Sequence, residues 1–119
     1  MGQPIQLKAI VAELGLSVCS GSDHLDRVVS GGYAGDLLSD VIANAEAGNV
    51  WVTMHGHVNI VAVSVLKDLS AIIVANGHQL AEDTLKRAGE KNIPVLLCDK
   101  PAFEIVGRLS ALGVHGTKH

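Results

Sequence analysis

Apolar residues recur along this chain with two distinct periods, and the alternation of the two periods predicts its elements. Leu7, Ile10, Val11 and Leu14 fall at i, i+3, i+4 and i+7, one face of a short helix with Pro4 near its start and Gly15 at its end. Leu16 to Cys19 alternates like a strand and runs into the turn Gly21-Ser22-Asp23. Arg27-Val28-Val29 reads as a short second strand that ends at the pair Gly31-Gly32. Leu37, Leu38, Val41, Ile42 and Ala45 define the next helix, with Asp36 as its expected N-cap. Val50 to Met54 is a third strand.

The segment from Val58 to Leu69 reads two ways. Its β-branched residues suit a strand, whereas the spacing of Val58, Val61, Ala62, Val65, Leu66 and Leu69 suits a helix. Length and spacing favour the helix, with Asn59 as its cap. Ala71 to Ala75 is continuously apolar, as a buried central parallel strand is, and Asn76-Gly77 ends it. Glu82 to Lys91 is a charged surface helix with Glu82–Lys86 and Asp83–Arg87 spaced to pair. Pro94 to Cys98 is the last strand. Pro101 opens a final helix that carries Phe103, Val106 and Leu109, pairs Glu104 with Arg108, and ends at Gly113. Val114 to His119 is expected to fray.

Strand and helix alternate from about residue 50, which implies right-handed crossovers. The predicted architecture is α/β: a single domain over residues 1–119, three layers deep, with a mostly parallel sheet flanked by helices. Composition agrees. Of 119 residues 48% are apolar but only 3% aromatic, so the core must be built from Val, Ile, Leu and Ala. A chain of this length buries roughly two-thirds of its unfolded surface, enough for a core without staples.

The net charge is −3 and the only adjacent basic pair, Lys86-Arg87, sits among acids, which argues against nucleic acid as a partner. No apolar run approaches a membrane span and no signal-peptide pattern is present, so no membrane association is expected. Cys19 and Cys98 lie in apolar contexts without a CxxC spacing, and are expected to be buried, reduced thiols of a cytoplasmic protein.

Candidate chemistry concentrates in three segments. Ser30-Gly31-Gly32-Tyr33-Ala34-Gly35-Asp36 can present backbone N–H groups to an anion at a helix start, or can be a structural turn needing positive φ. Asp36 at that helix start would compete with an anion. The segment is neither a P-loop nor a GxGxxG fingerprint. Arg27 can bind a phosphate or carboxylate, or can tie the loop down through Asp36 or Asp40. Met54-His55-Gly56-His57 and Asn76-Gly77-His78 follow strands, where α/β sheets place their ligands. His55 and His57 need a third ligand, for which His78 is the natural candidate. Loop histidines with ordinary hydrogen bonds are the commoner outcome, and no metal or cofactor is expected. Thr53, Asn59 and Asn76 can line a pocket or serve as caps. Arg27, Ser30, Gly31, Gly32 and Asp36 are thus the expected floor of a ligand site, with Thr53, His55, His57, Asn59, Asn76 and Gly77 at its rim. No catalytic constellation emerges, and no enzyme activity is expected.

The run Asp26-Arg27-Val28-Val29-Ser30-Gly31-Gly32 resembles the signature of the DRTGG domain family, and the likeness continues through Trp51-Val52-Thr53, His57 to Val63, Ala71 to Val74 and Ala102 to Ile105. The resemblance implies a non-catalytic regulatory domain, similar to inserts beside CBS pairs in regulated pyrophosphatases and to the N-terminal domain of HPr kinase/phosphorylase. The kinase chemistry of the latter lies in a separate P-loop domain and does not transfer. Two functions follow as expectations. One is a regulatory domain that binds a small ligand, such as an adenine nucleotide, and forms a homodimer. The other is a ligand-free dimerisation or protein-interaction scaffold with a target in trans. A ligand module should show a polar hollow beside the glycine pair. A scaffold should show that segment filled and an apolar patch elsewhere.

Overall fold

Described over residues 4–77 and 79–117, the computed structural model contains the elements that the apolar spacing predicts, with two additions. In chain order they are β1 (Ile5–Gln6), α1 (Leu7–Leu14), β2 (Ser17–Ser20), β3 (Val28–Val29), β4 (Gly31–Ala34), α2 (Leu38–Asn44), β5 (Asn49–Thr53), α3 (Asn59–Lys67), β6 (Ala71–Val74), α4 (Glu82–Glu90), β7 (Val95–Leu97) and α5 (Ala102–Ala111). The main sheet runs β2-β7-β6-β5-β4, parallel throughout except for the antiparallel edge strand β2. The additions are β1, which pairs antiparallel with β3 in a small second sheet, and β4, whose glycines carry no strand pattern.

Alternation along the strands builds two cores. Val50, Val52, Ile73 and Leu96 face α1 and α5, meeting Leu7, Ile10, Ile105 and Leu109. Trp51, Ile72, Val74 and Val95 face the other way, meeting Val41 of α2, Ile60 and Val61 of α3, and Ala88 of α4. Successive strand residues point to opposite faces, so a continuously apolar strand serves a layer of helices on each side. Val58 to Leu69 resolves as a helix because Ile60, Val61 and Val63 have a core to enter on one side.

Several local expectations are corrected. Neither Asp36 nor Asn59 caps a helix: Leu37 and Val58 hold those positions, with no side-chain capping bond. On α4, Arg87 pairs with Glu90 at 3.3 Å rather than with Asp83. The Glu104–Arg108 pair forms as expected, at 3.1 Å. On α5 the buried stripe is Ile105 and Leu109, which leaves Phe103 93% exposed and Val106 outward. Cys98 is buried but Cys19, on the sheet edge, is exposed. The tail does not fray over 114–117. Val114 is buried, and the Gly32 N–H donates to the His115 carbonyl at 2.9 Å. Residues 118–119 lie outside the described residues.

Candidate functional site

The glycine pair runs along a strand, and that decides what it can do. Gly31 and Gly32 pair with Asn49 and Val50 of β5, and neither has positive φ. Their lack of a side chain serves the C-terminal tail instead. A Cβ on Gly31 would lie 2.3 Å from Thr117 Cγ2 and 2.5 Å from the His115 carbonyl oxygen. Asn49 Nδ2 donates to Thr117 Oγ1 at 3.2 Å and to Ser30 Oγ at 3.2 Å, so the tail is strapped across the start of the strand. The hollow beside Gly32, lined also by Val52, Val114 and His115, holds about 90 Å³. Ligand pockets occupy roughly 300 Å³ or more. The expected anion cradle is therefore filled by the chain itself.

Because β4 spans the full depth of the sheet, it separates the candidate residues on either side of the glycine pair. Arg27 and Ser30 stand at the amino ends of the parallel strands. Arg27 donates to the carbonyls of Ser70 (3.3 Å) and Asn92 (2.7 Å), the residues that lead toward β6 and β7. It bonds to backbone and not to Asp36 or Asp40, because those acids lie beyond the other end of the strand. Ser30 Oγ donates to the Ala47 carbonyl at 2.8 Å. Arg27, Ser30 and Gly31 thus do not join the remaining candidates.

Gly32 stays with Gly31 inside β4, whereas Asp36, Thr53, His55, His57, Asn59, Asn76 and Gly77 gather at the carboxyl ends of the strands. Asp36 Oδ1 accepts from Thr53 Oγ1 (2.7 Å) and from the Met54 N–H (2.7 Å), tying the end of β5 to the segment after β4. His55 Nε2 contacts the Asp36 carbonyl, and the His55 N–H donates to Thr53 Oγ1 at 3.2 Å. His57 Nδ1 accepts from the Asn59 N–H at 3.2 Å. Asn76 and Gly77 adopt φ of 61° and 62°. Their N–H groups donate to the Lys100 and Cys98 carbonyls, and Asn76 Nδ2 reaches Met54 Sδ at 3.5 Å. His78 lies outside the described residues. Among the described residues no group of three His, Cys, Asp or Glu is placed to hold a metal. Asp36, Thr53, Met54 and His55 are tied to one another, which pins this part of the rim.

Two perturbed groups lie apart from the rim. The Tyr33 hydroxyl donates to Asp40 Oδ2, and that hydrogen bond, with burial and the Asp40 charge, raises its pKa above the usual phenol range. Partial desolvation raises the pKa of the Cys19 thiol above its usual value, which lowers its thiolate fraction.

A feature the sequence only hinted at lies on the outer layer. The faces of α3 and α4 enclose a groove of about 480 Å³ floored by Val58, Val61, Ala62, Val65 and Leu66 and edged by Arg87 and Lys91. Leu66 is 66% exposed and Val65 48%. The signal was the apolar circumference of Val58 to Leu69, which exceeds what one core can take.

Fold and surface together define a three-layer α/β domain with a filled glycine strand, a pinned carboxyl rim and an apolar outer groove. No family model matches the chain, and no curated protein matches it. A solved structure does: the CBS and DRTGG domains of the regulatory region of Clostridium perfringens pyrophosphatase, complexed with its activator diadenosine tetraphosphate. The TM-score is 0.72 at 17% identity, over 87% of this chain and 45% of that one. The chain thus has a DRTGG-like fold and spans less than half the length of that structure. No helix among the described residues is long and apolar enough to cross a membrane.

Proposed function

We propose that this chain is a non-catalytic regulatory domain that works by assembly, forming a homodimer through the outer surface of α3. The observation that carries this reading is the α3–α4 groove, where Val65 and Leu66 are left in solvent on the outer face of a helix that buries Ile60, Val61, Val63 and Ser64 on the other. The filled glycine strand supports it too, since the scaffold expectation required that segment to be occupied. Two-fold pairing through one self-complementary patch is the commonest way for a small domain to cover such a face. Light scattering on the wild type and on Leu66→Glu tests it. A dimer that becomes a folded monomer on substitution supports the reading, and a wild type that stays monomeric at high concentration ends it.

A second reading keeps a small ligand. The similar pyrophosphatase region was solved with a nucleotide activator bound, and Asp36, Thr53, His55, His57, Asn59, Asn76 and Gly77 stand where α/β sheets receive ligands. A thermal-shift panel of adenine nucleotides separates the two. A ligand at about 100 times its Kd stabilises the fold by about 2.7 kcal/mol. On this reading Thr53→Val abolishes the shift and Arg27→Ala, at the opposite end of the sheet, does not.

A further inference from the structure

The α3–α4 groove has the walls of a site for one alkyl chain with an anionic head. Its floor is aliphatic: Val58, Val61, Ala62, Val65 and Leu66 line it, with no aromatic ring among them. Such a floor gives a flat base no ring to stack on, and Asn59 is the one uncharged polar residue beside it. Its branched methyl groups suit a flexible chain. From Val58 to Leu66 the helix rises about 12 Å. The volume of about 480 Å³ lies within the range of small-molecule sites.

The charges beside the floor differ in what they are free to do. Arg87 and Lys91 are the charged residues of the lining, and both are exposed. Arg87 Nε is held by Glu90 at 3.3 Å, which matches its charge. Asp83 and Lys86 join Arg87 and Glu90 around a neighbouring hollow, where acids and bases balance. Lys91 lines the groove and not that hollow, and it has no ion pair among the described residues. The groove thus presents one uncompensated cation at the edge of an aliphatic floor, and its complement is one monoanionic head on one apolar tail. A second hollow supplies the contrast. The one lined by Ile5, Val28 and Leu112 is larger, about 710 Å³, and mostly apolar, yet no charged residue lines it among the described residues. We propose that the α3–α4 groove binds the carboxylate of an unbranched aliphatic chain, with the tail along Val58 to Leu66 and the head at Lys91. Resting on the assembly reading above, occupancy also controls pairing: the tail covers Val65 and Leu66, so a bound carboxylate and a second copy exclude each other.

Methyl NMR on the full chain tests this, with octanoate, decanoate and decanol as probes, each kept below its micelle concentration or solubility. Saturable shifts are expected at Val58, Val61, Val65 and Leu66, and none at Ile5, Val28 or Leu112. Decanoate should bind about four- to sixteenfold more tightly than octanoate, since each methylene, half to fully buried, contributes about twofold to fourfold. Lys91→Gln should weaken decanoate by about two- to fivefold, the worth of one exposed charge pair, and leave decanol unchanged. Ala62→Trp, at an exposed position of the floor, should abolish binding in a folded protein. No binding, equal shifts at both hollows, decanol bound as tightly as decanoate, or binding indifferent to Ala62→Trp overturns the inference and leaves the assembly reading untouched. Sedimentation velocity with and without saturating decanoate then tests the exclusion. A dimer that dissociates supports it, and a dimer unmoved by bound decanoate overturns it. A wild type that is monomeric without ligand ends the assembly reading, and the methyl titration alone then decides the site.

Discussion

Replacing Gly31 by Ala isolates the role of the glycine pair, because two accounts of it predict opposite signs. An open strand glycine that gains a methyl group stabilises a protein by about 0.4–1 kcal/mol, through the reduced freedom of the unfolded chain. Here the new Cβ would sit 2.3 Å from Thr117 Cγ2 and 2.5 Å from the His115 carbonyl oxygen, so the strap at 115–117 must leave. Its departure breaks the bond from the Gly32 N–H to His115 and the bond from Asn49 to Thr117. At about 1 kcal/mol each the loss is about 2 kcal/mol. With an unfolding entropy of roughly 2.1 cal/mol/K per residue, that lowers Tm by about 8 °C. Gly32→Ala meets only Val114 Cγ1, at 3.3 Å, and should be far milder. Differential scanning calorimetry of both variants, in the full chain and in a chain lacking residues 115–119, completes a cycle. In the shortened chain Gly31→Ala should no longer destabilise. A Gly31→Ala protein as stable as the wild type in the full chain would refute the strapped-strand account.

Other expected outcomes follow from single contacts. Arg27→Ala strands the Ser70 and Asn92 carbonyls that the guanidinium bridges, and should cost about 1–3 kcal/mol in urea denaturation; an unchanged midpoint would contradict the bridge. Ser64 Oγ is fully buried on α3 with no hydrogen-bond partner among the described residues, so Ser64→Ala should stabilise the fold by about 1 kcal/mol, and a destabilised variant would show that the hydroxyl is satisfied. The raised pKa of Tyr33 means that its bond to Asp40 stabilises the fold fully below about pH 10, the unfolded phenol value, and is lost as pH rises through the folded value. The stability gap between wild type and Tyr33→Phe should therefore be flat at neutral pH and shrink in alkali; a gap that widens above pH 10 reverses the sign.

Long periodic segments were legible in the sequence because each fills a core on its own. Leu7 to Leu14 and Ala71 to Val74 need only their own spacing to declare a helix face and a buried strand. The strand at Gly31–Ala34 was not legible, since glycines carry no side-chain pattern and what fills their space arrives from residues 115–117. The same distance in sequence hid the strap: Val114 is a single apolar residue whose partners lie far upstream. The spacing of Phe103, Val106 and Leu109 marks an apolar face on the last helix, yet Ile105 and Leu109 define the buried stripe and Phe103 points away. For the candidate site, the rule that ligands gather at strand carboxyl ends brought Asp36, Thr53, His55 and Asn76 to one rim. Arg27 and Ser30 were drawn in by their closeness to the glycines. A strand between two residues puts them at opposite ends of a sheet, and only the pairing with β5 reveals that a strand is there.

The central claim is that α3 presents a face built for a second copy of the chain. Sedimentation velocity over a hundredfold concentration range, on the wild type and on Leu66→Glu, tests it most directly. The account predicts a monomer–dimer equilibrium for the wild type and a folded monomer at every concentration for the variant. A wild type that sediments as a monomer throughout, or a variant that still dimerises, contradicts it.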